Sequence, residues 1–126
     1  MTEKKVLVVD DEPLFCEMVS KFLVGKGYSV VEAYGGEQAI TIYSEDRPDL
    51  VVLDVRMPGK DGLETLQELR ASDPEASVIM VTAVLDDEVV GQAMADGALD
   101  YITKPLNLHS LELAIKMRLG LVVSEE

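Results

Sequence analysis

The 126-residue sequence predicts an α/β fold, a doubly wound, five-stranded parallel sheet with helices on both faces. Three observations predict it. Apolar runs of strand length alternate with segments of helical period five times over, with short connections between them. Three of the runs, at residues 6–9, 50–53 and 78–81, are continuous rather than alternating, which is how inner strands buried on both faces read. The other two, at 28–33 and 99–103, are interrupted by Ser29 and Glu32 and by Asp100 and Thr103, and read as edges.

The elements follow in order. After the first strand, Leu14, Phe15, Met18, Val19, Phe22 and Leu23 repeat as pairs every four residues, with Pro13 opening the helix and Gly25 and Gly27 closing it. A second helix is expected over 36–46 with Ala39, Ile40 and Tyr43 inward, and a third over 62–71 with Leu63, Leu66 and Leu69 inward. The fourth spans 86–96, where Val89, Val90, Ala93 and Met94 repeat the pairing; Met80 and Met94 read as core. The last spans 107–119 on Leu108, Leu111 and Ile115, with Leu113, Met117 and Leu121 on a second apolar stripe. Right-handed crossovers and three inner strands between two edges give the order 2-1-3-4-5, a flavodoxin-like (βα)5 architecture. One domain is expected over 1–126, with a folded core at 4–119 and a C-terminal tail or linker stub at 120–126 that includes Val122 and Val123.

Composition narrows the function. The 24 acidic and 11 basic side chains leave a formal charge of −13, which disfavours direct binding to nucleic acid or to an anionic membrane. No apolar run is long enough to span a bilayer, and residues 1–10 lack the apolar core of a signal peptide. The single Cys16 has no partner for a bridge or a metal cluster; it reads as structural, in a reducing, cytoplasmic compartment.

In a sheet of this kind ligands bind beyond the carboxyl ends of the strands. Those ends carry Asp10 and Asp11, then Asp54, Thr82, and Thr103 with Lys104. Two carboxylates about 4 Å apart repel by roughly 4 kcal/mol at an effective dielectric near 20, so a bare cluster is costly. A divalent hard cation relieves that cost, and Mg2+ suits one or two carboxylates with open positions for a phosphoryl oxygen. With Lys104 as a second positive charge, the set describes a phosphoryl-transfer site in which an aspartate attacks. In isolation each residue has a plainer reading: Asp10, Asp11 and Glu12 as helix-terminal acids, Thr82 and Tyr101 as strand residues, Lys104 as solvated surface, Asp61 as a turn or cap.

The same residues stand in motifs: Val-Val-Asp-Asp at 8–11, Asp-Val-Arg-Met-Pro-Gly-Lys-Asp-Gly at 54–62, Val-Thr-Ala at 81–83, and Asp-Gly-Ala-Leu-Asp-Tyr-Ile-Thr-Lys-Pro at 96–105. Across nearly its whole length the sequence closely resembles the receiver domain of two-component response regulators. The resemblance implies that Asp54 accepts a phosphoryl group from the phosphohistidine of a sensor histidine kinase or phosphotransfer protein. Asp11, Asp54 and the backbone carbonyl of Arg56 would hold Mg2+, with Mn2+ as a substitute, and Asp10 would act through metal-bound water. It implies that Thr82 and Tyr101 switch, that Lys104 pairs with the phosphate, and that the Lys104-Pro105 peptide is cis. The order 2-1-3-4-5 is also that of chemotaxis members of this family. The surface of the fourth helix, fifth strand and fifth helix would then control an output domain after residue 120 or another partner, with a homodimer through the last helix as one form of output. Arg56 and Val84 match positions that tune hydrolysis, and Val84, which offers no hydrogen bond to water, is expected to shield the phosphoryl group.

Three other functions fit less well. A flavodoxin-like nucleotide binder needs a Gly, Ser and Thr loop where this chain has Asp10-Asp11-Glu12-Pro13. A magnesium phosphohydrolase wants a second acid two residues after the nucleophile, where Arg56 stands. A degenerate receiver serving only as a binding module is disfavoured by the intact Asp10, Asp11, Asp54, Thr82 and Lys104. His109, in the first turn of the last helix, reads as solvated.

Overall fold

The computed structural model describes residues 3–84 and 86–121. Five strands, β1 (Lys5–Val9), β2 (Ser29–Ala33), β3 (Leu50–Leu53), β4 (Val78–Thr82) and β5 (Asp100–Thr103), alternate with five helices. These are α1 (Pro13–Gly25), α2 (Gly36–Asp46), α3 (Gly62–Ser72), α4 (Asp87–Ala95) and α5 (Leu108–Arg118). The strands form one parallel sheet in the order β2-β1-β3-β4-β5, as expected.

The continuous apolar runs are explained by the two faces they fill. Leu7, Val9, Val51, Leu53, Val78 and Met80 join Ala39, Leu66, Leu69 and Ala93 in a core beneath α2, α3 and α4. Their neighbours Val6, Val8, Leu50, Val52, Ile79 and Val81 join Cys16, Val19, Leu23, Leu111 and Ile115 beneath α1 and α5. Successive residues of a strand point to opposite faces, so an inner strand with helices on both sides has no polar position to spare. The edges β2 and β5 are only partly buried, which is why they tolerate Ser29, Glu32 and Asp100.

The helix phases depart from the sequence pattern in places. Leu14 is 79% exposed and Met18 43% exposed; the core stripe of α1 is Cys16, Val19 and Leu23, flanked by Phe15 and Phe22. A helix advances 100° per residue, so the first member of each apolar pair rotates past the edge of the buried sector. On α4 the second member falls outside instead: Met94, expected in the core, is 44% exposed while Ala93 is fully buried. On α5 the second stripe is not continuous: Met117 is exposed, but Leu121 folds back onto the core beneath α1 and α5. The expected tail, with Val122 and Val123, lies outside the described residues from 122 onward.

Register brings the strand ends to one rim. Val9 lies beside Leu53, Leu53 beside Met80, and Thr82 beside Thr103. The backbone pairing runs one step further, since Asp10 N–H donates to Ala33, Asp54 N–H to Val9 and Lys104 N–H to Thr82. These three bonds aim the next side chain of β1, β3 and β5 at the same space.

Candidate functional site

Asp10, Asp11 and Asp54 each place a carboxylate oxygen within 4.8 Å of the others. Asp10 is 1% exposed and Asp54 7% exposed, while Asp11 is open to solvent. Lys104 closes the cluster: its Nζ donates to Asp10 Oδ2 at 2.8 Å and to Asp54 Oδ2 at 3.3 Å, and Glu12 lies 3.9 Å away. The remaining oxygen of Asp10 accepts from Glu12 N–H at 3.0 Å, and that of Asp54 from Arg56 N–H at 3.3 Å. Each buried acid thus keeps two donors, the condition for tolerating a buried charge.

The electrostatics follow from burial. Desolvation raises the pKa of Asp10 above the ordinary aspartate range, opposed by the bonds from Lys104 and Glu12 and reinforced by the charge of Asp54. Desolvation pulls Lys104 down, but its bond to Asp10 and the charges of Asp54 and Asp10 more than reverse this, leaving its pKa above the usual lysine value. The result is a protonated lysine held against two aspartates.

Thr82 is fully buried at the end of β4, and its Oγ1 accepts from Val84 N–H at 3.3 Å. Tyr101 on β5 is half-buried and donates its hydroxyl to the Val84 carbonyl at 2.8 Å, tying β5 to the segment after β4. The Lys104-Pro105 peptide is cis. Val84, expected to shield the phosphoryl group, has its side chain buried against the core beneath α2, α3 and α4; a cleft opens beside Asp11. That cleft, about 460 Å3, is bounded by Asp11, Val55, Arg56, Met57, Pro58 and Asp61. Asp61 caps α3: it accepts Glu64 N–H at 2.9 Å, and Glu64 returns the bond to Asp61 N–H at 3.1 Å.

Two contacts at the site were not legible in the sequence. Cys16, fully buried, donates its thiol to the Asp10 carbonyl at 3.4 Å, and burial pushes its pKa up to about 12. Phe15 presents its ring 4.2 Å from Lys104 Nζ. Both arise because the first turn of α1 returns beneath the end of β1; the apolar period marks these residues as buried and says nothing of their polar neighbours. His109 is exposed, and among the described residues no helix is long and apolar enough to cross a membrane.

A parallel (βα)5 sheet with three carboxylates, a hydroxyl and a lysine at its carboxyl edge defines a flavodoxin-like α/β unit with its ligand site at that edge. The family model for the response regulator receiver domain matches residues 6–116, and the chain belongs to that family. A Bacillus subtilis (strain 168) relative, named "Probable C4-dicarboxylate response regulator DctR", is 41% identical over 116 residues, which is 90% of this chain and 51% of that protein. The chain therefore spans about half the length of that relative. Among solved structures, a CheY-like receiver domain protein from Methanospirillum hungatei JF-1 superposes with a TM-score of 0.92 at 28% identity, covering 94% of this chain and 95% of the other. The CheX-CheY-BeF3-Mg2+ complex from Borrelia burgdorferi gives 0.87 at 28% identity, covering 91% and 88%. The chain is thus a receiver domain of the kind found in two-component response regulators.

Proposed function

We propose that this chain is a phosphoacceptor in which Asp54 takes a phosphoryl group from the phosphohistidine of a sensor histidine kinase or phosphotransfer protein. The observation that carries the reading is the placement of the Asp54 carboxylate at a strand end, near-buried, within reach of two further carboxylates and of the Lys104 ammonium. A carboxylate oxygen of Asp54 attacks phosphorus, the phosphorus–nitrogen bond of the donor breaks, and its electron pair returns to the imidazole. Lys104 pairs with the phosphoryl oxygens as charge builds on them.

The donor set fits a hard divalent cation, because three carboxylates converge on one point and all its side-chain ligands are oxygens. Asp11, Asp54 and the Arg56 carbonyl are the residues that would hold Mg2+, or Mn2+ in its place, with Asp10 acting through water. When bound, the ion supplies charge neutralisation for the transferring group. The beryllofluoride and magnesium named for the Borrelia complex support this reading.

Phosphorylation replaces one carboxylate by a group of about −1.5 to −2 charge with three strong acceptors. Thr82 Oγ1 accepts from Val84 N–H, which ties it to the segment after β4, so a hydroxyl that swings to donate to a phosphoryl oxygen carries that segment with it. The Tyr101 hydroxyl bond to Val84 carries that motion to β5, and so to the α4, β5 and α5 surface. That surface would act on an output domain after residue 120, consistent with the half-length match to DctR, on a separate partner, or on a second copy through α5. In this account residues 1–126 act as one receiver unit, in the cytoplasm and without direct contact to nucleic acid. The test is intact mass after incubation with a small phosphodonor, with and without Mg2+. A magnesium-dependent gain of one phosphoryl group is expected, and no gain with any donor would leave a protein-binding module.

A further inference from the structure

We propose that Phe15 is a positioning residue for Lys104, its ring face holding the ammonium over Asp54. This rests on the reading of Asp54 as phosphoacceptor. A lysine side chain is a flexible four-carbon stem ending in a single point charge, so nothing in its own shape fixes where the ammonium sits. Here Nζ has four close neighbours. Asp10, Asp54 and Glu12 lie at 2.8, 3.3 and 3.9 Å, and the Phe15 centroid at 4.2 Å, well inside the roughly 6 Å reach of a cation–π contact.

The four neighbours differ in what the reaction does to them. Asp54 becomes an acyl phosphate, and Asp10 would turn to metal-bound water, so both carboxylates change as partners of the ammonium as the site loads. Glu12 and the ring keep their charge distribution throughout, and of these Glu12 is 70% exposed at 3.9 Å, so the ring is the constant neighbour packed against the core. An aliphatic side chain there would desolvate the ammonium and return nothing; an aromatic face attracts it. The ring is itself anchored. Phe15 packs against the core beneath α1 and α5, and the next residue, Cys16, bonds the Asp10 carbonyl at 3.4 Å. One helical turn therefore sets both the acid and the surface against which the lysine rests.

The test compares Phe15→Leu, which keeps apolar volume without a π face, with Phe15→Tyr, which keeps the face. In the unmodified protein the ε-methylene protons of Lys104, assigned by loss of the signal in Lys104→Met, are expected upfield of free lysine through the ring current. That shift should persist in Phe15→Tyr and vanish in Phe15→Leu. With a small phosphodonor and Mg2+, Phe15→Leu is expected to lose about fivefold in maximal phosphorylation rate, the size of a partly desolvated cation–π contact. The donor concentration for half-maximal rate should be unchanged, and Phe15→Tyr should recover most of the loss. No upfield shift in the unmodified protein, an undiminished rate in Phe15→Leu, or a Tyr variant as slow as the Leu variant would each overturn the proposal while leaving Asp54 as acceptor. Absence of any phosphorylation in the unmodified protein would remove the acceptor reading, and the positioning role with it.

Discussion

Gly62→Ala opposes helix propensity to packing. Gly62 opens α3, and by propensity alone alanine there would stabilise the helix by up to about 1 kcal/mol. The structure predicts the opposite sign. A Cβ at this position would stand 2.1 Å from the Asp54 carbonyl oxygen, 2.6 Å from Val55 Cα and 2.8 Å from the Asp54 carbonyl carbon. All three are backbone atoms of the segment that presents Asp54, so no side chain can rotate away. Ordinary carbon–oxygen contacts begin near 3.3 Å, so α3 and the end of β3 must separate by roughly 1 Å. The Gly62 N–H bond to the Val55 carbonyl, now 2.8 Å, resists that separation. Overpacking against rigid surroundings costs about 1–3 kcal/mol, and here the upper part of that range applies. With a urea slope near 2 kcal/mol per M, the midpoint should fall by about 1 M. Because the displaced atoms belong to Asp54, phosphorylation should slow by about 10- to 100-fold, the effect of an ångström-scale misplacement. Urea denaturation followed by circular dichroism, together with the phosphorylation rate, checks both. An alanine variant as stable as the parent, with an unchanged rate, would refute the packing argument.

Other expectations follow from the buried groups. Because the folded pKa of Asp10 lies above its unfolded value, its contribution to stability is fully present below the ordinary aspartate pKa and is lost as pH rises through the raised value. Asp10→Asn removes that loss, so the variant should gain on the parent as pH rises above the ordinary aspartate range, as paired denaturation curves would read. Mg2+ at about ten times its Kd should raise the stability of the parent by about 1.4 kcal/mol and leave Asp11→Asn unmoved in thermal melts. The Tyr28 hydroxyl is buried without a hydrogen-bond partner among the described residues, so Tyr28→Phe should be neutral or stabilising by about 1 kcal/mol in urea. Cys16, with its pKa raised to about 12, should resist alkylation at mildly alkaline pH until the protein unfolds, so thiol labelling should track global unfolding.

The fold was legible because parallel inner strands leave a plain mark. Val-Leu-Val-Val at 6–9 and Leu-Val-Val-Leu at 50–53 have no polar position, and only helices on both faces explain that. The strand-end rule then located Asp10, Asp54, Thr82 and Lys104, which the register brings to one edge. Helix phase was less legible. Leu14, Met18 and Met94 sit at the margin of their helices' apolar arcs, where a rotation of a few tens of degrees decides between core and solvent. Contacts distant in sequence were not legible at all: nothing in the first helix indicates that Phe15 meets Lys104, or that Gly62 touches the carbonyl of Asp54.

The central claim is that Asp54, and neither Asp10 nor Asp11, accepts the phosphoryl group. Borohydride reduces an acyl phosphate to the alcohol, so a phosphorylated aspartate becomes homoserine and can be located by peptide mapping. Treatment of the phosphorylated chain with borohydride should yield homoserine at position 54 alone, with none after Asp54→Asn. Homoserine at position 10 or 11, or a phosphoryl group that borohydride leaves intact, would contradict the account.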